Sequence, residues 1–181
     1  MIQLQGILPA VRNLRDFEKI LSSNHEHVIF LETRLSQLAS IVKYAKRYNK
    51  KVWLHVDLIQ GLKTDEYGIE FLIRHLEVDG MISTKVNVIS LAKKHHVTAV
   101  QRLFLLDSHA LDHNLKMTGN VKPDYVEVLP GIIPRMIKEV SEKTGLPVIA
   151  GGLIRTSKDV EMALQAGASA VTTSHIDLWD C

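Results

Sequence analysis

One cysteine, Cys181, is too few for an intrachain disulfide, so nothing in the cysteine usage of this 181-residue chain points to an oxidising compartment. No apolar run approaches the roughly 18 residues that a membrane-spanning helix requires. The opening Met1-Ile2-Gln3-Leu4 also lacks the basic-then-apolar pattern of a secretory signal. A cytoplasmic protein with no membrane partner is therefore expected. Excess charge is nearly absent as well: the formal net value is +2, and no global basic field announces nucleic acid. No low-complexity or linker segment divides the chain. What remains is an ordinary globular composition, 46% hydrophobic and 23% charged, which predicts one domain over 1–181 with a sizeable core.

Short runs rich in Val and Ile recur at 6–8, 28–31, 52–57, 80–84, 98–104, 125–129, 148–151 and 170–173. Segments of helical period separate most of them. In one, Leu35, Leu38, Ile41, Val42 and Ala45 share a face; in another, Ile133, Met136, Ile137 and Val140 do so, with Pro134 in the first turn and Gly145 as the stop. Ser157 is the expected N-cap of a later helix that ends at Gly167, and the segment around 109–117 is the weakest. Eight alternations of strand and helix predict an α/β fold, a compact TIM-type (β/α)8 barrel whose loops must be short, because such barrels typically need about 250 residues. The last helix is reduced to 175–180, with Ser174 and Asp177 spaced as a capping box. A missing outer helix should leave apolar surface over the eighth and first strands, which predicts a homo-oligomer, specifically a homodimer.

Two strand ends suggest an anion cradle. The run Pro147-Val148-Ile149-Ala150 stops at Gly151-Gly152, where backbone N–H groups can approach a ligand, and the run ending in Thr172 and Thr173 stops at Ser174, a hydroxyl. The seventh and eighth strands are where such barrels bind phosphate, so Gly151, Gly152, Thr173 and Ser174 are the expected phosphate contacts. Alternation along the third run sends Trp53, His55 and Asp57 inward and Val52, Leu54 and Val56 outward; the sixth run sends Glu127 inward, and the second ends in Glu32. On the fourth, Met81, Ser83 and Lys85 are assigned to the interior side. The fifth offers Gln101 and Arg102, and period two does not choose between them. The expected polar contacts are thus Glu32, His55, Asp57, Lys85, Arg102 and Glu127. Cations and glycine amides suit phosphate and carboxylates suit hydroxyls, so the ligand class is a small phosphorylated polyol or sugar.

Each residue has a plainer reading. The glycines can simply turn the chain, Asp57 can form a rim ion pair with Lys85 or Arg102, His55 can be a hydrogen-bonded interior histidine, and Glu32 can cap the following turn. Asp107-Ser108 reads first as an N-cap. His109 and His113 have metal-ligand spacing but no evident third ligand, so neither metal nor cofactor is expected. Two basic clusters, Lys43, Lys46, Arg47, Lys50 and Lys51 in one and Lys93 and Lys94 in the other, are candidates for phosphodiester contact or simply solvated helix ends.

The segments His55-Val56-Asp57-Leu58-Ile59-Gln60-Gly61-Leu62, Asp79-Gly80-Met81-Ile82-Ser83-Thr84-Lys85, Gln101-Arg102-Leu103-Phe104-Leu105-Leu106-Asp107-Ser108, Glu127-Val128-Leu129-Pro130-Gly131, Ile149-Ala150-Gly151-Gly152-Leu153-Ile154 and Leu178-Trp179 resemble, end to end, the bacterial glycerol-uptake operon antiterminator regulatory proteins. The resemblance implies a barrel that senses glycerol 3-phosphate as its effector and, when loaded, binds the leader mRNA of glycerol-metabolism operons. Composition and motifs do not yield the RNA half; it comes from the resemblance alone. The competing expectation is a metal-independent isomerase or aldolase acting on a small phosphorylated sugar or polyol, with Lys85 as Schiff-base amine. A glycerophosphodiester phosphodiesterase is disfavoured, because Gly6-Ile7-Leu8-Pro9 stands where a His-Arg-Gly run belongs.

Overall fold

The computed structural model describes residues 3–180. In chain order its elements are β1 (Gly6–Val11), α1 (Leu14–Leu21), β2 (His27–Phe30), β3 (Thr33–Arg34), α2 (Leu35–Arg47), β4 (Lys51–His55), a 3-10 turn (Val56–Leu58), β5 (Ile59–Gln60) and α3 (Glu66–Arg74). There follow β6 (Gly80–Ser83), α4 (Val86–Lys94), β7 (Thr98–Phe104), α5 (Ser108–Val121), β8 (Tyr125–Leu129), α6 (Pro134–Thr144), β9 (Val148–Ala150), α7 (Ser157–Gln165), β10 (Ala170–Thr173) and a 3-10 turn (Ile176–Leu178). Eight strands close a barrel in the order β1-β10-β9-β8-β7-β6-β4-β2, while β3 and β5 form a separate two-stranded sheet. The expected barrel is therefore present. No helix among the described residues is long and apolar enough to cross a membrane. Two compact units make up the chain, one of Pro9–Ala99 and the other of the residues up to Leu8 with those from Val100 onward.

In the Pro9–Ala99 unit, Phe17 of α1 meets Phe30 edge-on with ring centroids 5.1 Å apart, so the Phe30 row of β2 faces the helices. Register sets Phe30 beside Leu54 and Ile29 beside Trp53, which puts Trp53 and His55 on the opposite, interior row as expected. Two parts of the expected alternation fail. The strand ends at His55, and Asp57 lies in the 3-10 turn, outside period two. On β6, Ile82 pairs with His55 and Met81 with Leu54, so Ile82 holds the interior row and Ser83 falls on the other. Every residue of β6 is buried, which removes the polar contrast that alternation needs. Gly80 is required by packing: a Cβ there would lie 1.9 Å from Cε3 of Trp53. Gly80→Ala should cost about 1–3 kcal/mol by overpacking, read as a lower urea midpoint at unchanged slope.

In the other unit, Leu103, Val126, Val128, Val148, Ala150 and Val171 form one apolar cluster with Leu111, Ile137, Val140 and Val160 of the covering helices. The alternate row, with Arg102 beside Glu127 and Glu127 beside Ile149, faces the barrel interior. Gln101 shares the row of Leu103, so Arg102 is the interior residue. Local signals explain the helices here. Asp107 caps α5 by accepting from the Ala110 amide, Pro134 opens α6, and Gly145 at φ +65° ends it. The cap of α7 is Thr156, not Ser157, and it forms a full capping box with Asp159.

The last turn also departs from expectation. His175 precedes it without a side-chain cap, so the Ser174–Asp177 box does not form. Leu178 and Trp179 are each 5% exposed, and the Trp179 Nε1 donates to the Thr173 carbonyl at 3.0 Å. Leu178 joins the apolar cluster. Two large side chains are thus packed down in the few residues that follow β10.

Candidate functional site

Strands β7 to β10 bring the second unit's polar groups together. Glu127 is 2% exposed, accepts from Arg102 Nε at 3.0 Å on one oxygen and from Thr172 Oγ1 at 2.9 Å on the other. Burial pushes its carboxyl up, against the lowering influence of Arg102 and the Thr172 bond. The guanidinium lies 5.0 Å from the centroid of the Phe104 ring, so the cation is fixed by a carboxylate on one edge and an aromatic face. Among the described residues its Nη groups donate no hydrogen bond, which leaves that edge for a ligand.

The glycine turn is built onto this pair. A Cβ on Gly151 would sit 2.6 Å from Glu127 Oε1 and 2.7 Å from Thr172 Oγ1, so the buried carboxylate and hydroxyl occupy the space of the absent side chain. Its backbone is committed too: the N–H donates to Val128 at 3.0 Å and the carbonyl accepts from Gly131 at 2.6 Å. Gly152 is different, exposed at φ +75° and followed by Leu153 at φ +61°. Thr173 is buried, donating to the Ile154 carbonyl and accepting from the His175 amide, both at 3.1 Å. Ser174, half-buried, lies just past the end of β10. Of the four expected phosphate contacts, Gly151 and Thr173 are thus structural supports, and Gly152 and Ser174 remain open.

Two residues here escaped the sequence reading. Thr172, treated only as part of a strand end, holds Glu127; its interior parity was the available signal. Gly131 approaches so closely that a Cβ would lie 2.6 Å from the Gly151 nitrogen, and its place after Pro130 was a turn signal.

The Pro9–Ala99 unit places its candidates separately. His55 is 2% exposed at the end of β4. Asp57 accepts from Ser83 Oγ at 2.6 Å, from the Thr84 amide at 2.7 Å and from Thr84 Oγ1 at 2.9 Å. It ties the 3-10 turn to the entrance of α4 and forms no ion pair with Lys85. That lysine is exposed and donates to Thr64 Oγ1 at 2.9 Å. Glu32, also exposed, pairs with Arg12 at 3.1 Å. Trp53 Nε1 donates to His27 Nδ1 at 3.0 Å, and burial holds the pKa of His27 below its ordinary value.

The first basic cluster is largely consumed by structure. Lys46 pairs with Asp79 at 2.7 Å and Lys51 with Glu26. Lys50 is 6% exposed, donates to the carbonyls of Ser23 and His25 at 2.6 and 2.7 Å, and has its pKa lowered by burial. Only Lys43 and Arg47 remain as exposed cations without such ties. In the second cluster Lys94 bonds Glu66 at 3.1 Å, and Lys93 is half-buried. No three His, Cys, Asp or Glu side chains gather as a metal site among the described residues.

Residues 7–179 match the family described as "Glycerol-3-phosphate responsive antiterminator". A solved structure of a glycerol uptake operon antiterminator regulatory protein from Listeria monocytogenes is 47% identical with a TM-score of 0.95, over 97% of this chain and 95% of that one. A glycerol uptake operon antiterminator-related protein from Thermotoga maritima is 31% identical with a TM-score of 0.88, over 98% and 99%. The Escherichia coli protein YgcP, described as uncharacterized, is 31% identical over 99% of this chain and 94% of its own length.

Proposed function

Because the chain belongs to the glycerol-3-phosphate responsive antiterminator family, we propose that it is a cytoplasmic regulator that binds glycerol 3-phosphate and, when loaded, the leader of glycerol-metabolism mRNA. In this reading the phosphate sits at the glycine turn, against the backbone of Gly152, the Ser174 hydroxyl and the open edge of the Arg102 guanidinium. Glu127 and Thr172 act through Arg102 by fixing its position. The observation that supports this most is the direct packing of the Glu127 carboxylate against Gly151, which couples the Arg102 cation to the turn. Effector binding can favour RNA only if it binds the RNA-competent conformation more tightly than the other. Gly152 and Leu153, at positive φ and exposed, form the segment that a phosphate would order.

The enzyme reading fits the side chains less well. Schiff-base chemistry needs a desolvated amine, whereas Lys85 is exposed and hydrogen-bonded to Thr64. Asp57 is occupied by three donors and His55 is buried. The test is a gel shift on leader RNA with and without glycerol 3-phosphate, beside calorimetry and a turnover assay on the same compound. Effector-dependent retardation without turnover is expected; turnover without retardation would transfer the site to the enzyme class.

A further inference from the structure

Two clefts of the Pro9–Ala99 unit meet at the seam of α1 and α2. One, of ≈ 560 Å³, lies between Leu14, Phe17 and Glu18 on one side and Ser40, Tyr44 and Arg47 on the other. The second, of ≈ 310 Å³, opens after β1 and β2 beside Arg12, Glu32 and Arg34, with Gln60 of β5 on its wall. Leu14, Gln37 and Ile41 belong to both, so the clefts form one continuous track. Arg12, Arg34, Lys43 and Arg47 line it against two carboxylates, Glu18 and Glu32, of which Glu32 is already matched by Arg12.

Aromatic surface accompanies the charge. Tyr44 lines the first cleft and Tyr48 flanks it from outside that lining; they are 42% and 46% exposed. Their rings meet edge-on with centroids 5.2 Å apart, and Phe17 abuts Tyr44 at 6.2 Å. The tyrosines are therefore pre-ordered, which lowers the entropy lost when a planar ligand stacks on them. Thr33, on the wall of the second cleft, carries a buried hydroxyl without a hydrogen-bond partner. Spaced cations, pinned aromatic rings and hydroxyl or amide groups between them suit a single nucleic-acid strand, whose phosphates meet the cations while its bases stack. A protein partner would be expected to find a drier groove with fewer charges at its centre.

We propose that the α1–α2 track holds a single-stranded segment of RNA, with phosphates on Arg34, Lys43 and Arg47 and bases stacked on Tyr44 and Tyr48. The assignment rests on the RNA-binding reading above and adds to it the face, the strandedness and the stacking residues. Of the two basic clusters in the sequence, only Lys43 and Arg47 belong to it.

The experiment uses the full chain with saturating glycerol 3-phosphate and a labelled 20-nucleotide single-stranded RNA pool of random sequence, followed by fluorescence anisotropy across a salt series. Tyr44→Ala with Tyr48→Ala should weaken binding about tenfold or more, and the paired Tyr→Phe variant should restore it, since stacking needs the ring and not the hydroxyl. Lys43→Ala with Arg47→Ala should make the plot of log affinity against log salt shallower by about 1.4, at ~0.7 for each phosphate no longer neutralised. Lys138→Ala with Lys143→Ala removes the same charge from α6 and should leave the slope unchanged. Calorimetric effector affinity verifies that each variant is folded. Wild-type RNA binding that survives both track variants overturns the track and spares the RNA reading; a wild-type protein that binds neither the pool nor leader RNA overturns both. Loss of self-association in the tyrosine variant without loss of RNA affinity, seen by sedimentation, would reassign the face to a second copy and overturn the proposal.

Discussion

Arg102→Met should destabilise the protein by about 3–5 kcal/mol at neutral pH, the usual cost of removing one partner from a buried ion pair. Its partner Glu127 is 2% exposed and would keep only the Thr172 donor on the other oxygen. The pH dependence gives the cause away. Burial already raises the Glu127 carboxyl in the folded protein above its unfolded value. A group raised on folding contributes stability that is full below the unfolded pKa and is lost as pH rises through the folded one. Removing Arg102 deletes the chief lowering influence, so that window extends further upward. The deficit of Arg102→Met relative to wild type, from urea unfolding, should be smallest in acid, where Glu127 is protonated in both proteins, and grow as pH rises through the raised pKa of the folded wild type. A deficit largest in acid would show that the guanidinium serves something other than Glu127. Adding Glu127→Gln to Arg102→Met should recover part of the loss, since the stranded charge is then gone.

Gly152→Asp should weaken glycerol 3-phosphate binding by about 100-fold or more. A carboxylate ~4 Å from a phosphate at an effective dielectric of about 20 repels it by about 4 kcal/mol, more than such a loss requires. The backbone contribution is separable. Gly152 sits at φ +75°, and a Cβ there would meet Leu129 Cδ2 at 3.3 Å, so Gly152→Ala carries the strain and the crowding without the charge. That variant should lose about tenfold. Calorimetry on both distinguishes the two causes, and an undiminished affinity in Gly152→Asp would remove the glycine turn from the effector site.

The repeat of eight strands was readable because each apolar run is bounded by a helix of clear period, and the caps Asp107, Pro134 and Gly145 act through neighbours in sequence. Long-range choices were less visible. Alternation failed at Asp57 because a 3-10 turn begins one residue after His55, and on Gly80–Ser83 because a strand buried on every residue carries no contrast. Arg102 could be chosen over Gln101 only through register, which pairs it with Glu127 across strands. Lys50 looked like a surface cation among others. It is turned inward after Asn49, at φ +56°, toward carbonyls more than twenty residues earlier in the chain. Leu178 and Trp179 were too few to show a period, yet both are buried, Leu178 within the apolar cluster and Trp179 bonded to the Thr173 carbonyl.

Those closing residues have an optical consequence. The chain contains two tryptophans, and one falls in each compact unit: Trp53 bonded to His27, and Trp179 bonded to the Thr173 carbonyl one residue before Ser174. With Trp53 replaced by Phe, the remaining indole emission reads the end of β10, where the effector is proposed to sit. With Trp179 replaced, emission reads the other unit, and it should change when His27, whose Nδ1 accepts the Trp53 N–H, takes up a proton. The two halves of the barrel therefore carry separate intrinsic fluorophores, and their unfolding curves can be compared directly to learn whether the halves melt as one cooperative body or in sequence.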